Sequence, residues 1–470
     1  MRTLYWVFGL LLFTLVAQSQ QLSKNLETAI KQLKADGQMK YALVALHVVN
    51  SKTGSVVYSY NENVGLAAAS SQKVITAAAA YELLGKAYRF KTTLGYSGTI
   101  ADGTLKGNFF ITGYGDPTLG SNRYGLTKSD GFINNLVNEL VANKINTING
   151  SIIIDQANFS IQPTPGGWIW DDIGNYYGAG HFGFNWRENQ YDLVLKPGLN
   201  EGDGVEILHT VPELQVSTIV NQLSTGKKGS GDHGYIYLAP FSNTAFVLGT
   251  VPAGVPEFTI SGSFAEPALQ FKNELSAALK KAKIGGEYEI KTWLQLVKDK
   301  QPMLKPATIL HTQKSPALDS IIYWFLRKSI NLYGEGLLKA IAFEKTGYGS
   351  TEKGLTQLFN FWQSKGVDSN AIRMMDGSGL SPQNRITAKS FVQVLGYAKS
   401  RPWYPAFYDA LPTYNGIKMK SGTIGGTKSF TGYVTDKSGN EYMFAIVINN
   451  YTGSAAQVVN KMYKVLDQLK

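Results

Sequence analysis

The 470-residue chain contains no cysteine. Disulfides, thiolate metal sites and a lipid-modified N-terminal cysteine are therefore excluded. Histidine is scarce: His47, His181, His209, His233 and His311 are the full set, and none stand at a ligand spacing such as H-x-x-x-H. No metal or other cofactor is expected. Long apolar runs are missing as well. Leu4–Val16 has 13 residues where a membrane span needs about 20, and no later segment supplies that length. There is no internal repeat and no low-complexity tract. What remains, 44% hydrophobic, 17% charged and 12% aromatic, is an ordinary globular composition, so disorder is not expected. The length suits about two or three domains.

The first residues, MRTLYWVFGLLLFTLVAQSQ, combine one positive charge at Arg2, the short apolar run, and small residues at Ala17 and Ser19. This is the pattern of a secretory signal peptide cleaved after Ser19. The expected location is periplasmic or secreted, with no transmembrane anchor after cleavage. The formal net charge of +11 falls only to +10 without residues 1–19. A basic excess points to an anionic partner. An export signal argues against nucleic acid and favours peripheral contact with an anionic wall polymer or membrane surface.

Along the chain, LSKNLETAIKQLKADG has a helical apolar period ending at Gly37. Two strands follow, YALVALHVVN and SVVYSYN. From about Tyr88 to Pro267 the texture is short strands and many glycines, with a helix at FINNLVNELVANKI and a hydrophilic loop expected from Ser224 to His233. Beyond Pro302 long helical patterns return, then a hairpin turning at Asp436–Asn440 and a C-terminal helix. The first and last parts therefore read as one α/β domain interrupted by a β-rich insertion.

The stretch LAAASSQKVITAAAAYELLGK places Ser70 three residues before Lys73, ahead of four alanines. Ser70 is expected to open a helix, where unpaired N–H groups and the dipole favour a developing negative charge. Positions i and i+3 share a helix face, so the Lys73 amine can reach the Ser70 oxygen. An amine held away from water loses part of its preference for the proton and can serve as a base. On spacing alone, a capping serine with a solvated lysine is the commoner reading, and Ser224-x-x-Lys227 is a second match in a glycine-rich setting. The small apolar residues before Ser70 and the partner motifs downstream single it out.

An acyl-transfer site also needs a proton relay and a strand edge carrying N–H donors and positive charge. Ser329-Ile330-Asn331, on an expected helical segment, offers a hydroxyl and an amide. Lys420-Ser421-Gly422-Thr423, ahead of the final hairpin, offers a cation, two hydroxyls and a glycine permitting close approach. Lys345-Thr346-Gly347 and Ser438-Gly439-Asn440 match the same patterns, but they read as a helix C-cap and a hairpin tip.

The order Ser-x-x-Lys, Ser-x-Asn, Lys-Ser/Thr-Gly is the penicillin-binding set. With ASSQKVITA, ITGYGDPTL, GGWIWDDIGNYYGA, KSINLYGEGLL and DGSGLSPQNRIT, the mature chain resembles the class C low-molecular-mass penicillin-binding proteins. These are the penicillin-binding protein 4 type, D-alanyl-D-alanine carboxypeptidase/endopeptidases of peptidase family S13. The resemblance implies an α/β, transpeptidase/β-lactamase-like catalytic domain, a sheet flanked by helices, formed by residues 20–88 and 302–470. It also implies an inserted domain II (89–190 and 259–301) and a nested β-rich domain III (191–258). By position, Ser70 is the acylated nucleophile and Lys73 its base, Ser329 and Asn331 relay the proton and hold the peptide, and Lys420 sustains the electrostatics. Ser421, Gly422 and Thr423 bind the terminal carboxylate, with the N–H groups of Ser70 and Thr423 as oxyanion hole.

Asp172, in the insert, resembles an acidic residue that reaches a substrate amine in relatives; a turn or capping role is equally open. DGSGLS reads as scaffold beside the site, and GAGHFGFNWRENQ departs from the small, serine-containing run expected there. The implied partners are peptidoglycan stem peptides, with β-lactams as covalent inhibitors and no nucleic acid. A serine β-lactamase and a catalytically idle wall-binding protein are the alternatives.

Overall fold

The computed structural model describes residues 20–214 and 218–470; the signal-peptide reading falls on residues 1–19 and lies outside them. The chain forms two compact units. One comprises the described residues up to Glu82, Ile322–Ser329 and Leu358–Lys470; the other comprises Leu83–Ile321 and Ile330–Gln357.

The first unit is built on a six-stranded sheet whose order is Thr413–Tyr414, Ile417–Ile424, Thr427–Thr435, Glu441–Asn449, Leu43–Asn50 and Val56–Tyr60. Every neighbouring pair is antiparallel. Alternate side chains of a strand point to opposite faces. In Glu441–Asn449 both sets are buried: Phe444, Ile446 and Ile448 join one core, while Met443, Ala445 and Val447 are shielded on the other side. A strand covered on both faces reads as a continuous apolar run, as MFAIVI does. The first face packs against Leu26, Ile30 and Leu33 of the helix at 20–35 and against Val458, Met462 and Val465 of the helix Ala455–Leu466. The helix Ala388–Lys399 belongs to this unit too, its Leu395 carbonyl accepting from the Tyr433 hydroxyl at 2.9 Å.

The helix Lys73–Leu83 is buried from Lys73 to Tyr81, and its four alanines are each 0% exposed. A helix apolar on all sides is a core helix. Alanine allows close approach on every side, and Tyr81 closes the far end by stacking on Trp403 at 4.8 Å.

In the second unit a five-stranded mixed sheet, ordered Tyr288–Thr292, Thr147–Asp155, Thr104–Gly113, Lys91–Ala101 and Thr308–Lys314, shares a core with the helices Ser129–Ala142 and Pro267–Lys281. Two three-stranded sheets enclose a separate core of Tyr191, Leu193, Ile236, Val247 and Ile260.

Three local expectations need correction. Ser70 lies in a 3₁₀ turn, Ala69–Gln72, and the α-helix starts at Lys73. The expected helical segment around Ser329 is a break: helices Leu318–Arg327 and Asn331–Thr346 flank it, and Ser329 has φ +59°. The loop expected from Ser224 is strand until Gly226, because Thr218–Gly226 pairs in parallel with Thr244–Pro252 and sets Ser224 opposite Thr250. Lys345-Thr346-Gly347 is a helix C-terminus with Gly347 at φ +75°, and Asp436–Asn440 is a hairpin turn, both as expected.

Phe444 is 0% exposed at the centre of the six-stranded sheet. Phe444→Ala should cost about 3–5 kcal/mol. Denaturant unfolding followed by near-UV circular dichroism should show the loss in the transition of the first unit.

Candidate active site

In the first unit, the 3₁₀ turn decides the geometry around Ser70. Side chains at i and i+3 eclipse in such a turn, and the Lys73 ammonium donates to the Ser70 hydroxyl oxygen at 2.9 Å. Lys73 is 0% exposed, while Ser70 is partly open. The Lys73 Nζ also donates to the Ser378 carbonyl at 2.7 Å and stands 5.7 Å from the centroid of the Phe325 ring. Ala69, just before Ser70, has φ +46°, a conformation costly for a residue with a Cβ.

The strand Ile417–Ile424 lies against this turn. The Ser71 hydroxyl donates to the Lys420 carbonyl at 3.1 Å. Ser429, from the neighbouring strand, is 2.7 Å from the Ser71 hydroxyl and 2.5 Å from the Ala68 carbonyl oxygen. Gly422 is required by this closeness: a Cβ there would meet the Ala68 oxygen at 2.2 Å and the Ser429 hydroxyl at 2.4 Å. The short strand Thr413–Tyr414 pairs only with Lys418 and Ile417, so the edge beyond has no further strand partner in the sheet. Met419 N–H reaches outward to the Pro412 carbonyl at 3.0 Å. By the alternation of a strand, the N–H groups of Ser421 and Thr423 point to that same open edge.

The electrostatics are cationic. Lys420 is 1% exposed and is held well below its ordinary lysine value by burial first, then by the charges of Lys73 and Lys428. Lys428 donates to the Thr423 hydroxyl at 2.6 Å, and burial lowers it also. Three lysines converging on a strand edge with hydroxyls and outward N–H groups suit a carboxylate and a developing oxyanion.

Ser329 sits in the same unit, in the left-handed region noted above, the kind of strain found at functional sites. Asn331 and Asp172 belong to the second unit. There, the Asn331 side-chain amide donates to the Tyr177 carbonyl at 2.7 Å, and the Tyr177 side chain hydrogen-bonds the Asp172 carboxylate. One residue thus joins the amide of the second motif to the carboxylate of the insert. Asp172 is half-buried, and its carboxyl is pushed up to about 6 by burial and then by Asp171, with the Tyr177 hydrogen bond opposing.

His181, in the departing run, is structural. Its Nε2 lies 2.8 Å from the Gly115 carbonyl, and burial followed by the charge of Lys339 lowers it to about 3. The buried Lys339 ammonium donates to the backbone carbonyls of His181 and Gln162 at 2.8 and 3.0 Å.

Sequence reasoning missed Ser378, Lys428, Ser429 and Tyr177. Ser378 acts through its main-chain carbonyl, which has no side-chain signature; Lys428 and Ser429 stand five and seven residues past Thr423 and Gly422, across a turn. Tyr177 lies in GGWIWDDIGNYYGA, where nothing local separates it from the neighbouring aromatic residues.

A serine hydroxyl paired with a buried lysine beside a cationic strand edge is the arrangement of a serine hydrolase of the acyl-transfer kind. A family model described as the D-Ala-D-Ala carboxypeptidase 3 (S13) family matches residues 26–469, and the chain belongs to that family of serine peptidases. It is 26% identical over 475 aligned residues to a D-alanyl-D-alanine carboxypeptidase of Actinomadura sp. (strain R39), covering 93% of this chain and 83% of the relative. It is 24% identical to D-alanyl-D-alanine carboxypeptidase DacB of Haemophilus influenzae, covering 86% and 84%. The crystal structure of penicillin binding protein 4 from Haemophilus influenzae shares the fold, with a TM-score of 0.79 at 21% identity over 94% of this chain and 99% of that one.

Gly422→Ala should lower stability by about 1–3 kcal/mol through overpacking and sharply reduce D-alanine release, because the Ser70 turn must shift. Gly425→Ala, whose Cβ meets nothing within 4 Å, should leave both unchanged. Thermal melting and a D-alanine release assay compare the two.

Proposed function

We propose that this protein removes the terminal D-alanine from peptidoglycan stem peptides, and cuts D-alanyl cross-links, through an acyl-Ser70 intermediate. The observation that carries the reading is the 2.9 Å contact from Lys73 Nζ to Ser70 Oγ, made by a lysine wholly shielded from water. Neutral Lys73 takes the Ser70 proton as Oγ bonds to the carbonyl carbon of the penultimate D-alanine. The tetrahedral oxyanion lies against the N–H groups of Ser70 and Thr423. Ser329 and Asn331 help return the proton to the departing amine, and the C–N bond breaks. Water, deprotonated in turn, then hydrolyses the ester. Lys420, Lys428, Ser421 and Thr423 hold the terminal carboxylate, while Gly422 lets their strand lie close against the Ser70 turn.

β-Lactams present a carbonyl to the same serine and acylate it. One solved relative, the Haemophilus influenzae protein, is described as complexed with a β-lactam. Residues 1–19 act as an export signal, which takes the enzyme to its polymer substrate outside the cytoplasm. No helix among the described residues is long and apolar enough to cross a membrane.

Labelled penicillin should attach to the purified chain at one residue, and Ser70→Ala should abolish it; a Ser70→Ala protein that still labels would refute the nucleophile. Lys420→Ala should acylate orders of magnitude more slowly while Lys345→Ala labels normally. Cross-linked muropeptides incubated with the enzyme identify the products and test the endopeptidase role.

Asp172 is proposed to read an amine on the third residue of the stem peptide. Its carboxyl, raised to about 6, is neutral below that pH and charged above it. Preference for the amine-bearing peptide over its acetylated form should therefore grow as pH rises through about 6. A charge-assisted hydrogen bond of roughly 1.5–3 kcal/mol corresponds to about 10- to 150-fold in kcat/KM. Asp172→Asn should remove both the preference and its pH dependence, without altering penicillin acylation. Equal losses for both peptides would make Asp172 structural.

A further inference from the structure

The turn Asp376–Ser381 was expected to be scaffold, yet it touches the nucleophile turn and its helix at four residues. The Ser378 carbonyl accepts from Lys73 Nζ at 2.7 Å, and the Gly377 carbonyl accepts from the Thr76 hydroxyl at 2.7 Å. The Gln72 side-chain amide donates to the Asp376 carbonyl at 2.7 Å. Gly379, at φ +87°, lies so close to Ala69 that a Cβ would meet its carbonyl oxygen at 2.1 Å.

The Asp376 carboxylate ties this turn together. It is 0% exposed. Oδ1 accepts from Gln72 Nε2 at 2.9 Å, from the Gly379 N–H at 2.9 Å and from Asn384 Nδ2 at 3.0 Å, while Oδ2 accepts from the Ser381 N–H at 2.7 Å. Asn384 in turn accepts from the Met375 N–H at 2.7 Å. Only an acceptor-only group satisfies four donors in this arrangement. The turn is thereby built around a single side chain.

We propose that Asp376 is a positioning residue for the reaction, which sets the reactivity of Lys73 by holding the Ser378 carbonyl on its amine. The proposal rests on the reading of Lys73 as the base. A neutral amine has two N–H groups and one lone pair. With one N–H given to the Ser378 carbonyl, rotation about the last bond is restrained and the lone pair is kept toward Ser70. Once Lys73 has taken the proton, the same carbonyl accepts from the ammonium and the nearby carboxylate favours it. Both act on the state that forms during attack, so proton transfer and geometry are served together. Lys420 repels the ammonium, the Phe325 ring centroid lies 5.7 Å from it, and the Asp376 carboxylate is joined through the Gly379 N–H to the turn whose Ser378 carbonyl accepts from Lys73.

The test uses the full chain and the second-order rate of acylation by a fluorescent penicillin across pH. Asp376→Asn keeps the shape but puts an NH₂ where an acceptor faced an N–H, and it removes the charge. The plateau rate should fall at least ten-fold. The acid limb should move to lower pH, because Lys73 loses a fixed acceptor and an anion and so gives up its proton more readily. A purely structural role would lower the amplitude in step with thermal stability and leave the limb where it was, and that result overturns the proposal. Gln72→Met, which removes two bonds to Asp376 without touching the turn's own chain, should shift the limb in the same direction by less; it serves where Asp376→Asn does not fold, and an unmoved limb there is equally fatal. Lys73→Ala separates the two readings. If it labels at the wild-type rate, Lys73 is not the base and the proposal falls with it. If it loses labelling while Asp376→Asn keeps the wild-type rate and profile, the proposal alone fails.

Discussion

An amine with no access to water is the constraint on which the rest of this molecule depends. Burying an unpaired ammonium costs several kcal/mol, roughly, even after the surroundings relax. Lys73 is nevertheless wholly shielded, and the chain meets the cost with specific partners: the Ser70 hydroxyl, the Ser378 carbonyl and the face of Phe325. Lys420, almost as deeply buried, adds a second cation whose proton is held less firmly because of that burial and then because of the first. Two lysines close together in a dry place are poor for stability. They suit a site that must abstract a proton and attract an anion.

The surroundings follow from that need. Alanines behind Lys73 and Gly422 in front allow the Ser70 turn to be pressed between a core helix and a strand edge. Ser71 and Ser429 then fasten the turn to the strand by hydroxyl contacts of 3.1 and 2.7 Å. Buried hydroxyls left without a partner are costly, so these contacts also resist slippage. The left-handed conformation of Ala69 is tolerated because the residue is buried and its carbonyl is packed against Gly379.

In the second unit the same logic takes a quieter form. Lys339 is buried without a catalytic partner, and it is satisfied by backbone carbonyls, His181 among them. The contrast with Lys73 is instructive: a buried lysine surrounded by carbonyls is a structural cation, and one set beside a partly open serine hydroxyl is a candidate base. Asp172, Tyr177 and Asn331 form the other chemically distinctive set, linked by hydrogen bonds through one tyrosine.

Much of this was legible in the chain. Ser70, Lys73, Ser329, Asn331 and Lys420 are short local patterns whose chemistry depends on residue type, and the hairpin, the core helix and the decoys at Lys345 and Ser438 obey local rules of periodicity and capping. For the hairpin, the core helix and the decoys, residue identity and near-neighbour spacing were sufficient. Tertiary structure alone decided the rest. Nothing local announces that the carbonyl of Ser378 lies on an amine 305 positions away, that the first turn at Ser70 is 3₁₀, or that Gly422 faces the oxygen of Ala68. Main-chain atoms are the same at every residue, so their role as partners is written only in how distant segments pack.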